Sequence, residues 1–174
     1  RGLISEAIAC NEKWLTKNPD TAKELLRAWF EAVDWWKKSP SEGNDIVARG
    51  LDWPVADVEI TQHGAVMLSF DQNLGAFGIG EGKAVCESLP EGTPEVPSEP
   101  SGWGELLFGG RPDCEAGYLS DTWDVFGAVY QEAGVLDDTV PASDGVDAEF
   151  LKSLNADGLG DTLTSNEWIG RISN

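Results

Sequence analysis

Positive charge, histidine and cysteine are all scarce in this chain, and it has no long apolar run. Lys and Arg number 12 against 31 Asp and Glu, for a formal net charge of −19. Phosphate affinity comes from clustered Lys and Arg that displace counterions, so nucleic acid is excluded as a partner. No apolar run approaches the ~20 residues a bilayer-spanning helix needs. The single histidine, His63, leaves a Ser/His/Asp or Cys/His arrangement with one candidate base. It falls in a helix of mixed pattern, where a surface or cap role is the simpler reading. Cys10, Cys86 and Cys114 match no zinc spacing. The carboxylates form no evident acid/base pair and read as a solvated acidic face. No catalytic residue, metal site or cofactor is therefore expected. The chain opens at Arg1 without a basic, then apolar, leader, which reads as a truncated or processed end.

What is present, 41% apolar residues with 8 Trp and 20 Gly, is the composition of a globular domain rather than of a disordered acidic tail. There is enough chain for one core, or for a lobe of a larger fold. The excess of acid suits an exported protein kept soluble by self-repulsion, so the expected location is periplasmic or extracellular.

Imperfect alternation over Ile4 to Cys10 predicts a short strand, followed by a helix over Glu12 to Lys17. Asn18-Pro19 predicts a cap and first turn, with a helix running to about Lys38. Its apolar stripe joins Ala22, Leu25, Leu26, Trp29, Ala32, Val33 and Trp36, widened by Phe30. This stripe is expected to face the core, with Trp35 at its edge and partly exposed. Ser39-Pro40-Ser41-Glu42 reads as a capping box opening a helix that ends near Gly50. Asp52-Trp53-Pro54 is a turn, and a further helix is expected from Asp57. Met67 to Gly78 reads as an extended piece entering a short helix at Asp71.

From Ile79 to Tyr118 the density of Gly and Pro (Pro90, Pro94, Pro97, Pro100 and Pro112 among them) rules out regular helix and predicts a long excursion. Cys86 and Cys114 flank it. A disulfide between them would brace a stretch that cannot build a core, while two free thiols near a loop is the alternative; Cys10 is left unpaired. Helical period returns at Ser120, where Trp123, Phe126, Val129, Tyr130 and Ala133 share a face and Gly134 ends the element. A last short helix spans Asp147 to Leu154. The expected divisions are thus 1–78, 79–118, 119–154 and a polar tail, 155–174. Within that tail, Asn155, Asp157 and Asp161 have a faint calcium-loop spacing, but Leu159 and Asn166 stand where ligands are needed.

The run ACNEKWLTKNPDTAKELLRAWFEAVDWWKKSPSEGNDIVARGL resembles a stretch of the solute-binding proteins of ABC importers, in the nitrate/taurine/sulfonate and thiamine-precursor branch. FDQNLGAFG and TWDVFGAVYQEAGVLDDTVPASDGVDAEFLKSL are similar to later segments of that family, in the same order, and together the three cover most of Cys10 to Leu154. The resemblance implies a helix-rich α/β fold, the carboxyl-terminal portion of a type II periplasmic-binding-protein-like two-lobed architecture. It implies as partners a small-molecule solute, the membrane permease of the importer and a missing amino-terminal lobe. Family members are about twice as long, and the excursion over 79–118 is longer than their usual connection. Trp35, Trp53, Phe70, Asp71 and Asn73 are the candidate ligand contacts, because an exposed indole or a loop amide can orient a small polar solute. For Asn73 a helix-capping role competes. An extracellular structural or protein-interaction module derived from that fold is the alternative function.

Overall fold

The computed structural model describes residues 7–64, 67–80 and 116–163. Every regular element among them is a helix: α1 (Glu12–Lys17), α2 (Pro19–Lys38), α3 (Pro40–Leu51), α4 (Val55–Gly64), α5 (Phe70–Phe77), α6 (Tyr118–Glu132), α7 (Ala142–Gly145), α8 (Glu149–Ala156) and α9 (Leu159–Thr162). This overturns the expected α/β, two-lobed architecture. The strand expectation rested on one short alternating segment; residues 7–10 of it are irregular and exposed, and a strand needs a neighbour to accept its hydrogen bonds. Residues 4–6, the Cys86–Cys114 pairing and most of the 79–118 excursion lie outside the described residues. Cys10 is exposed and free.

The first three helices are joined through single residues. Asn18 closes α1 with its backbone N–H on the Trp14 and Leu15 carbonyls and its Nδ2 on Trp14 O at 2.9 Å. Ser39 closes α2 on the Trp35 and Trp36 carbonyls. In both cases proline follows at the start of the next helix, where its missing N–H costs nothing and its ring ends the helix before it. The capping box expected at Ser39 does not form, since no side-chain cap bond is made there. The box is at Ser69 instead: Gln72 N–H donates to Ser69 Oγ at 3.2 Å, and Ser69 N–H donates to Gln72 Oε1 at 2.9 Å. It starts α5 at Phe70, one residue before the predicted start.

The main core gathers Phe30 of α2, Phe70 and Leu74 of α5, Ile79, Leu151 and Leu154 of α8, and Leu159 of α9. The Phe30 and Phe70 rings meet edge to face, 5.0 Å between centroids at 76°, the arrangement the ring quadrupoles favour. Leu159 anchors the start of the polar tail in this core. On the surface, Asp157 accepts from Lys23 Nζ at 2.7 Å and Arg27 Nη2 at 2.9 Å, tying the end of α8 to α2. These bonds, that to Lys23 first, hold its carboxyl below the ordinary range; a residue so engaged is no calcium ligand. A second cluster packs Trp36, Ala48 and Val58. There Trp36 Nε1 donates to Asn44 Oδ1 at 2.9 Å, and the indole lies so close over Gly43 that a Cβ would sit 2.0 Å from it. Gly78 (φ +68°) and Gly117 (φ +83°) close the join of α5 to α6: a Cβ on Gly78 would lie 3.1 Å from Gly117 Cα, and Gly117 N–H donates to Gly75 O at 2.7 Å.

Two apolar faces read from the sequence are only partly covered, that of α2 against the expectation that it faces the core. On α2 only half of the stripe is covered: Ala22, Phe30, Val33 and Trp36 are buried, whereas Leu25 (52% exposed), Ala28, Trp29 (46%), Ala32 and Trp35 (40%) form an open apolar arc. On α6 the buried residues are Tyr118 and Thr122. Trp123, Val129 and Tyr130 are exposed, although Trp123 Nε1 donates to Val140 O at 2.7 Å and pins the following segment.

Two outcomes are expected. In denaturant melts, Phe30→Ala costs about 3–5 kcal/mol, whereas Trp29→Ala costs no more than about 1.5 kcal/mol because half its ring is already in water. Asp157 contributes stability that is present above the ordinary carboxylate pKa, 3.8, and is lost as pH falls through its lowered folded value. Asp157→Asn should therefore be less stable than wild type at pH 7, and the gap should close as melts are taken to lower pH.

Candidate functional site

The turn between α3 and α4 builds the most distinctive exposed surface. Asp52 ends α3 in the left-handed region (φ 54°, ψ 43°), which short polar side chains tolerate better than branched ones. Trp53 N–H then closes on Ala48 O at 2.9 Å. The chain reverses, Pro54 supplies the carbonyl that receives the Asp57 and Val58 N–H groups, and α4 begins. Val58 is the residue that docks α4 on the body, 1% exposed against Trp36 and Ala48. The neighbouring side of α4 carries Asp57, Ile60 and Thr61, brought together by their i, i+3, i+4 spacing.

These three residues and Trp53 line an open depression of about 300 Å³. Trp53 is 46% and Ile60 69% exposed. Thr61 Oγ1 donates to the Asp57 carbonyl at 2.8 Å, which spends its hydrogen and leaves its lone pairs as acceptors. The Asp57 carboxylate has no hydrogen-bond or ion-pair partner among the described residues. The depression thus offers an indole, a carboxylate, a hydroxyl oxygen and a methyl-rich rim, on one wall only.

The expected contacts do not converge there. Trp35 lies on the open arc of α2, on a different element. Phe70 is 2% exposed and fills the core against Phe30, so its ring is a packing group. Asp71 is half-buried in the first turn of α5. Asn73 is half-buried, and its Nδ2 donates to Ser69 O at 2.8 Å and Leu68 O at 3.2 Å; it fastens the entry to α5. Trp53 alone of the set lines the depression. Asp57 and Thr61, its neighbours there, were read in sequence only as parts of a helix start; an acid and a threonine at i, i+4, just past an exposed Trp-Pro turn, were the signal.

Among the described residues no group of three or more His, Cys, Asp or Glu is placed to hold a metal ion, and no helix is long and apolar enough to cross a membrane. No family model, curated protein or solved structure matches this chain.

Asn73→Ala should lower stability by about 1–2 kcal/mol, since it strips two carbonyls of a donor, and leave any solute affinity unchanged. Parallel melts and binding titrations check both halves; a loss of affinity at full stability would return Asn73 to the site.

Proposed function

We propose that this chain is a non-catalytic part of the solute-binding component of an ABC importer, working outside the cytoplasmic membrane and handing a small polar solute to a membrane permease. One observation carries the reading: among the described residues the depression at Trp53 has a single wall. A small solute binds well when most of its surface is enclosed, so this wall needs a second protein body to close over it. The open apolar arc of α2 is a surface such a body would cover. The ordered resemblance of three segments supports the same reading, and these segments fall on α1 to α3, on α5 and on α6 to α8.

A protein-interaction module is the second reading, favoured by a further exposed apolar group, Val129, Tyr130, Val135, Leu136 and Val140. A thermal-shift screen of the full gene product against nitrate, taurine and other sulfonates, aminopyrimidines and amines separates the two. One solute class should raise the Tm by several degrees, because a ligand at 100 times its Kd stabilises the folded state by about 2.7 kcal/mol. Turnover of any of these solutes, or no shift with every class, would overturn the transport reading.

A further inference from the structure

Resting on the reading above, we propose that the wall at Trp53 takes a cationic solute: an organic ammonium or amidinium group on a flat or apolar body. The lining residues supply what such a molecule needs. The half-exposed indole of Trp53 is the aromatic group of the lining, and indole is the side chain that best attracts a cation. Asp57, unpaired among the described residues, is an acceptor for a charge-assisted hydrogen bond. Thr61, its hydrogen committed to the Asp57 carbonyl, adds a further acceptor. Ile60 gives the apolar part of the ligand a surface. Against an anion the same set is unfavourable. The indole N–H is the one side-chain N–H donor of the lining, and a carboxylate stands beside it.

The wider field acts in the same direction. Along the chain from 45 to 59, through the end of α3, the turn and the first half of α4, Asp45, Asp52, Asp57 and Glu59 stand against the single cation Arg49. The whole chain carries a net charge of −19, and such a field concentrates cations and repels nitrate and sulfonates. Within the branch that the resemblance points to, the wall therefore selects an amine-bearing solute over the inorganic and sulfonate anions.

Calorimetric titration of the full gene product with three probes of one shape tests this: benzylamine, benzyl alcohol and benzenesulfonate. Benzylamine should bind at least tenfold more tightly than benzyl alcohol, and benzenesulfonate most weakly. Asp57→Asn should abolish the preference for the amine over the alcohol while leaving the Tm within a degree of wild type, and Asp57→Glu should keep the preference. Trp53→Leu should weaken benzylamine and benzyl alcohol alike. Tightest binding of the sulfonate, or an amine preference that survives Asp57→Asn, overturns the cation assignment and leaves solute binding standing. Failure of benzylamine to bind, in a protein whose Tm is raised by a solute of the earlier screen, does the same. If nothing binds in either experiment, both readings fall.

Discussion

The edge-to-face contact of Phe30 with Phe70 joins the longest helix to the short α5, and the leucines of α8 and α9 close around it. The second cluster, Trp36 with Ala48 and Val58, holds α3 and α4 to α2, and the remaining helices lean on the aromatic joint. α1 has no buried residue, α6 buries only its first turns, and α4 is held chiefly by Val58. Phe70 can occupy that position because the Ser69–Gln72 box starts α5 at that residue. The Gly78–Gly117 approach then brings α6 back beside α5. Local capping and the central aromatic pair are therefore one mechanical unit: the cap sets the angle at which the ring enters the core.

Helix α2 divides the molecule energetically. Its inner side supplies Phe30 to one cluster and Trp36 to the other, so both cores depend on its straightness. Its charged side reaches Asp157 through Lys23 and Arg27, an exposed set of ion pairs whose value is modest and screened by salt. Its third side, the arc from Leu25 to Trp35, is apolar and uncovered. A helix that is apolar over more than half its circumference is built to be covered on two sides, and among the described residues one side is exposed.

The turn at Trp53 shows how stability and function are kept apart. The structural work there is done by backbone: the left-handed Asp52, the Trp53 amide on Ala48, and the Pro54 carbonyl at the start of α4. The side chains of Trp53, Asp57 and Thr61 are thereby released from packing, and Val58 ties the segment to the core. An indole beside a carboxylate on so acidic a molecule is chemistry suited to a cation.

Helix positions were legible because they depend on local chemistry. The Asn-Pro and Ser-Pro junctions and the 3.6-residue period placed α1 and α2 at their observed ends and the starts of α3, α4, α5, α6 and α8 to within a few residues, whereas the short α7 and α9 carry no such signal. The side of each helix that would be buried was not legible. An apolar stripe records that a face needs covering, but which part is covered depends on what other elements supply. Thus Phe30 went inside and Trp29, its neighbour in the same stripe, did not. For the same reason Phe70, read as a ligand contact, became the centre of the core, and Asn73 became a fastener for two carbonyls. The described part of the expected strand, residues 7–10, is irregular because alternation is a local pattern, whereas a strand exists only through a neighbour. By itself the sequence determined most of the helices and the acidic field, set within a few residues or by simple summation of charge. Tertiary structure alone decided the half-covered face of α2 and the meeting of Trp53 with Asp57 and Thr61, because burial and concavity arise only when distant segments compete for the same space.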